Sequence, residues 1–120
     1  MLKSPKDKGN ALEYKFRDML RESGLDEHAQ RTPMSGAMAG MKSDLLTRLP
    51  FSIECKNQET WRPLAYYNQA KAGINLGSGK IPVVVMKANN TPIFVMMEGQ
   101  DWINLVSAAV NKTGYGRSES

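Results

Sequence analysis

The sequence predicts a single α/β domain, a central mixed β-sheet flanked by helices. Three observations lead there. The chain has 120 residues, 41% hydrophobic and 23% charged, which suits one compact core and leaves no room for two. Helix-periodic stretches stand at the start, in the middle and near the end, with β-rich runs between them. The run "IPVVVM" at residues 81–86 lacks polar alternation, the pattern of a strand covered on both faces.

The elements follow in order. Residues 1–8 are basic, contain Pro5 and are expected to be loose. Gly9 to Gly24 reads as a helix, because Leu12, Phe16, Met19 and Leu20 recur at i, i+4, i+7 and i+8 and Gly24 offers a stop. "HAQRT" suits a short strand, and "PMSGAMAGMK" is expected to be a mobile loop. "SDLLTRLPFSIECK" reads as a hairpin turning near "TRLP". Trp61 to about Leu76 should be helical, with Thr60 as N-cap and Pro63 in the first turn, until "NLGSGK" breaks it. "IPVVVM" and "PIFVMM", joined by "KANNT", form a second hairpin candidate. "GQDWINLVSAAV" closes the domain as a helix with an apolar face of Trp102, Leu105, Val106 and Ala109. The domain is thus expected over residues 9–110, followed by a polar, disordered tail at 111–120.

Composition narrows the function. No apolar run approaches the roughly 20 residues of a membrane span, and "MLKSPKDKGN" lacks the apolar stretch of a secretory leader. The single cysteine, Cys55, excludes an internal disulfide and a cysteine zinc site, and fits a reducing cytoplasm. Net charge is +4, with residues 61–120 carrying six Lys/Arg against three Asp/Glu and residues 25–60 four against five. A mildly basic surface around an acid-containing middle suits a polyanion partner, although ordinary surface lysine gives the same totals.

The stretch "FSIECKN" holds the chemistry. Alternation on a strand puts Phe51, Ile53 and Cys55 on one face and Ser52, Glu54 and Lys56 on the other. Asp44 lies on the preceding strand of the expected hairpin. The other E-x-K of the chain, Glu13-Tyr14-Lys15, falls in a helix, where its ends diverge by about 200°. Two converging carboxylates can hold Mg²⁺ or Mn²⁺ and leave coordination sites for water and a phosphate oxygen. A bound cation makes hydroxide available and offsets phosphate charge, while a neighbouring lysine orients the water or stabilises the transition state. Asp44, Glu54 and Lys56 are therefore the minimum kit for metal-dependent phosphodiester hydrolysis. The same residues also suit an exposed strand face with a cross-strand ion pair, worth under about 1 kcal/mol. Glu13, at the rim of the first helix's buried face, fits either a residue reaching that site or a surface acid paired with Arg17 at i+4.

The ordered set "KGNALEYKFRDMLRESG", "RTPMSGA" and "SDLL…FSIECKN" resembles the PD-(D/E)xK nuclease superfamily, and within it the archaeal and phage Holliday-junction resolvases. The resemblance covers roughly residues 8–72 and implies a restriction-endonuclease-like fold with an αβββαβ core. It implies that Asp44 and Glu54 are metal ligands, joined by the Cys55 backbone carbonyl, and that Lys56 is the catalytic lysine. Glu13 matches the acid of the first helix, which approaches the metal, often through water. Ser35 matches the loop serine near the scissile phosphate, Arg31 the basic residue before it, and Gln69 a glutamine on the helix after the E-x-K strand. Ser43 stands where the family pattern has proline.

The resemblance implies a Mg²⁺- or Mn²⁺-dependent endodeoxyribonuclease of branched DNA, four-way junctions first. Two symmetric incisions would require a homodimer, for which the apolar C-terminal helix is one candidate surface. The setting would be the cytoplasm of a prokaryote or a phage-infected cell. Lys8, Lys42, Arg48 and Arg62 are further candidates for phosphate contact, with Arg31 and Ser35. A virus-type repair nuclease, a restriction or homing-type endonuclease and an inert nuclease-like DNA-binding module are the alternatives. His28 reads as a loop residue, and Tyr66, Tyr67 and Trp61 either stack on an unpaired base or pack a helix.

Overall fold

Helix α1 spans Pro5–Glu22, because Ser4 caps it. The Ser4 hydroxyl accepts the Asp7 N–H at 3.2 Å, and proline at the first helical position has no N–H to leave unpaired. The cap carries the helix back beyond Gly9, through residues expected to be loose. Gly24, at φ +80°, takes the left-handed conformation that ends it. The computed structural model describes residues 4–33, 43–74 and 77–113. The loop expected over 33–42 and the tail from 114 onward fall, but for Pro33, outside the described residues. After α1 come β1 (Gln30–Arg31), β2 (Leu45–Leu46), β3 (Phe51–Asn57), α2 (Pro63–Ala72), β4 (Ile81–Lys87), β5 (Phe94–Met96) and α3 (Gly99–Thr113). Among the described residues no helix is long and apolar enough to cross a membrane.

The sheet is mixed, as the sequence predicts, with strand order β3-β4-β5. β3 and β4 run parallel from Phe51↔Ile81 to Asn57↔Lys87, joined by the α2 crossover. β4 and β5 are antiparallel, with Val85 opposite Val95, and Asn90 turns between them at φ +61°. β4 is the central strand and is buried at every position except its ends, which is why its sequence lacks alternation.

Period-two alternation divides the core into two layers. On one face Ile53, Cys55, Val83 and Val85 pack with Leu12 and Leu20 of α1, Ala29 and Leu45. On the other, Val84 and Met86 pack with Tyr66 and Ala70 of α2. Helices therefore flank both faces of the sheet, in the restriction-endonuclease-like arrangement.

Several elements depart from expectation. Met19 is exposed, although its spacing placed it on the apolar stripe of α1. The hairpin over 43–56 is only partly built. β2 ladders onto β1, with Arg31 opposite Leu45, and joins β3 through the Asp44 N–H to the Ile53 carbonyl at 2.8 Å. The intervening turn folds around the Asp26 carboxylate instead, which accepts from the Thr47 hydroxyl at 2.7 Å and the Arg48 N–H at 2.9 Å. Thr60 does not cap α2; Arg62 occupies that position without a side-chain bond. The closing helix continues to Thr113, into the stretch expected to be disordered, and buries none of its residues.

Candidate active site

β3 carries the site because its polar face points toward α2. Glu54 lies opposite Val84 and Lys56 opposite Met86, the two β4 residues that pack with Tyr66. Glu54 is thus buried beneath a helix, and its carboxylate meets the Lys56 ammonium at 3.3 Å, with the side chains 9% and 19% exposed. The ammonium also stands 5.6 Å from the centroid of the Tyr66 ring, within range of a cation–π contact. The Tyr66 hydroxyl is held by Gln58 Oε1 at 2.5 Å, so the ring is fixed under the lysine. This is not the solvated ion pair of an open strand.

Asp44 reaches the same strand from the other side. Its Oδ2 accepts the Cys55 N–H at 2.6 Å. One residue earlier, the Ser43 hydroxyl accepts the Ile53 N–H at 2.9 Å. Ser43, the departure from the family's proline, therefore helps clamp this segment to β3. Residues 53 and 55 both turn their backbone groups toward Ser43 and Asp44, so the Cys55 carbonyl lies on the Asp44 edge of the strand. Asp44, Glu54 and Gln69 line one cleft of about 360 Å³, closed by Ala72 and Gly73 at the end of α2.

The electrostatics record the crowding. Burial, followed by the charge of Glu54, pushes the Asp44 carboxyl up to about 7, against the pull of the Cys55 N–H. Burial also raises Glu54, with Lys56 holding it back. Burial, then the charge of Asp44, pushes the Cys55 thiol upward, which makes it packing and not a nucleophile.

Glu13 stands on α1, and its charge acts on both Asp44 and Glu54. It does not pair with Arg17, which bonds Asp18. Its Oε1 accepts Arg31 Nε at 2.8 Å. Arg31 also donates to the Tyr14 hydroxyl at 3.0 Å and to Asn10 Oδ1 at 2.8 Å, and lies 4.5 Å over the Tyr14 ring. Arg31, expected at the DNA, thus has three donors engaged within the protein and anchors Glu13.

The remaining candidates divide by location. Ser35 and Lys42 lie outside the described residues. Arg48 is exposed and bonds the Leu25 carbonyl at 2.9 Å, beside a second cleft that it lines with His28 and Lys80. Lys8 offers its backbone carbonyl to Asn57 Nδ2 at 3.1 Å. Arg62 is exposed at the start of α2. Trp61, Tyr66 and Tyr67 pack α2 against the sheet. Asn10 and Tyr14 were missed by the sequence reading, since nothing local links them to a residue 17 or 21 positions away.

The donor set fits a hard divalent cation. The half-buried Asp44 and the buried Glu54 disfavour their own ionised forms, and an added positive charge would relieve both. Among the described residues no group of three or more His, Cys, Asp or Glu side chains is arranged to hold a metal ion. Asp44 and Glu54 would therefore need backbone carbonyl, water or phosphate oxygen to complete a shell, a common arrangement for Mg²⁺.

Comparison with curated proteins finds no match, and neither does comparison with solved structures. A family model described as "Phage putative PDDEXK endonuclease" matches residues 4–119, nearly the whole chain. The chain belongs to this phage endonuclease family of the PD-(D/E)xK type.

Proposed function

We propose that the protein is a Mg²⁺- or Mn²⁺-dependent endonuclease that cuts branched DNA, with four-way junctions as the preferred substrate. One observation carries the catalytic part. The Asp44 carboxylate is tied to the backbone of the strand that presents Glu54 and Lys56, and both acids line one cleft with Gln69. Asp44, Glu54 and the Cys55 carbonyl would hold the cation. When bound, it would lower the pKa of a coordinated water and offset charge on the phosphate. Lys56, steadied by Glu54 and the Tyr66 ring, donates hydrogen bonds to the attacking water or a phosphate oxygen. Glu13, anchored by Arg31, adds an acceptor for water at the α1 side. Gln69 offers an amide at the cleft wall. The junction preference rests on the resolvase-like order of motifs, and paired incision of a junction requires a twofold form.

The test uses labelled four-way junction, flap, linear duplex and single strand, each with Mg²⁺ or EDTA. Paired symmetric nicks in the junction, lost in EDTA and in Asp44→Asn, are expected. Cutting of the flap alone identifies a repair nuclease, and cutting of duplex at a fixed sequence a restriction-type enzyme. Junction binding without metal-dependent product identifies an inert module and overturns the proposal.

A further inference from the structure

The outward side of α2 is not an ordinary solvated helix face. Tyr66 and Ala70 are buried against the sheet and fix the inward direction. At about 100° per residue, Asn68 stands opposite them, with Leu64 and Ala72 about 40° to either side and Ala65 and Lys71 about 60° away. All five are exposed, Leu64 at 78%. A surface helix usually turns charged residues to solvent. This one turns a leucine, two alanines, one amide and a single lysine, so a partner can come close to its backbone.

Two observations say which partner. Between Glu59 and Glu98 the chain has no acidic residue, but it has Arg62, Lys71, Lys80 and Lys87. A polyanion can therefore settle on α2 without meeting a carboxylate of that helix. The outward side is also continuous with the candidate active site. Gln69, next in the chain to Asn68, lines the cleft of Asp44 and Glu54 together with Ala72 and Gly73. On the opposite flank Tyr67 and Lys71 share a cleft with Glu98 and Asp101. The DNA backbone therefore belongs on the Gln69 flank, where the proposed cation offsets the acids, with Arg62 exposed at the helix start.

Shape agrees with charge. A helix with its side chains is about 10–12 Å across, and the major groove of B-DNA is about 12 Å wide. With α2 lengthwise in that groove, Asn68 faces the floor and one groove wall passes over Gln69 into the catalytic cleft. An asparagine amide pairs with both N6 and N7 of adenine, and an apolar side chain meets the thymine methyl. We infer that α2 is the base-reading helix of this protein: it enters the major groove of the DNA arm beside the cut, Asn68 and Leu64 meet base edges, and Arg62 holds a phosphate. The inference rests on the nuclease reading for the identity of the partner, and on the outward residues and charge pattern of α2 for its location.

Selection of bound four-way junctions with randomised arms, in EDTA, tests it apart from cleavage. Wild type is expected to enrich A·T pairs at one or two positions of one arm. Asn68→Ala should lower the discrimination at its position by about tenfold. Arg62→Ala should weaken binding to all sequences alike and lower the salt slope by about one. Ala65→Glu should weaken binding at least about 30-fold at unchanged Tm, because Ala65 is exposed, while Ala109→Glu on α3 should leave binding as in wild type. Binding by Ala65→Glu as tight as wild type overturns the inference, as do equal losses in Ala65→Glu and Ala109→Glu. So does wild-type binding without base preference, or a preference that Asn68→Ala leaves unchanged. Self-association without DNA that is lost in Ala65→Glu puts a second copy on α2 and overturns it as well. Cleavage of the same junctions with Mg²⁺ is read separately. Selective binding without cleavage sinks the nuclease reading and leaves this one standing, and cleavage that Ala65→Glu leaves intact does the reverse.

Discussion

Removing one acid from the site should make the metal-free protein more stable while abolishing cleavage, and the size of the gain follows from the Asp44 environment. Its carboxyl, ordinarily at 3.8, is carried to about 7. The folded chain therefore holds a proton that the unfolded chain has released between those two values. Stability falls as pH rises through that window and levels off above it. A displacement of this size corresponds to about 4 kcal/mol lost on going from pH 4 to pH 8. Asp44→Asn removes the charge and keeps an oxygen that can accept the Cys55 N–H. Exchanging a charged acceptor for a neutral one costs about 1 kcal/mol, which leaves a net gain of about 3 kcal/mol at pH 8. For a domain of this size that is a rise of about 10 °C in Tm. The assay is thermal unfolding in EDTA from pH 5 to pH 9, wild type beside Asp44→Asn. The two curves should separate as pH rises, the variant being the more stable. An Asp44→Asn protein that melts at or below wild type at pH 8 would show that this carboxylate is not crowded, and Asp44 and Glu54 would then need no cation between them.

Four further outcomes follow from the same structure. Added Mg²⁺ or Mn²⁺ should raise the Tm of wild type at pH 8, by an amount equivalent to about 2.7 kcal/mol at one hundred times Kd, and should do little for Asp44→Asn or Glu54→Gln; equal shifts in all three would place the cation elsewhere. Lys56→Met leaves Glu54 buried without its cation and should cost about 3 kcal/mol at pH 8 by urea unfolding, together with loss of cleavage; unchanged stability would mean that the pair is solvated. Asp26 has the opposite sign to Asp44. The Thr47 hydroxyl, then the Arg48 N–H, holds it below its ordinary value, so its contribution is present above pH 3.8 and lost as pH falls through the lower folded value, and Asp26→Asn should flatten that acid limb. Leu12→Ala, at a side chain 1% exposed between α1 and β3, should cost 2–5 kcal/mol by urea unfolding with no change in metal dependence.

Alternation and burial made much of the site legible in advance. A strand that sends Ile53 and Cys55 into one layer must send Glu54 and Lys56 to the other, whatever lies there. The central β4 likewise announces itself by having no polar side. The hairpin was only half readable, because its turn is set by Asp26, which bonds Thr47 across 21 residues. That carboxylate competes with the strand ladder for the backbone of Arg48, and propensity cannot weigh a partner so distant. The same limit applies to Ser43. Its hydroxyl fastens the Asp44 segment to Ile53 ten residues on, a duty that a comparison of motifs records only as a missing proline.

Arg31 and α3 show how a residue type or a periodicity can be legible in the sequence while its partners are not. An arginine ahead of a small-residue loop suits a phosphate, and its sequence neighbours offer nothing to contradict that. Its actual partners, Asn10, Glu13 and Tyr14, lie one helix earlier. An arginine with three donors engaged and an aromatic face beneath it is already committed, and disengaging it for a phosphate would break its ion pair with Glu13. In α3 the periodicity correctly locates an apolar stripe, but periodicity is a statement about one helix and is silent on what that helix faces. A stripe directed at the sheet and a stripe directed at a second chain have the same sequence. Only the burial of the other elements separates them: α1 and α2 already cover both faces of β3 and β4, and α3 buries none of its residues.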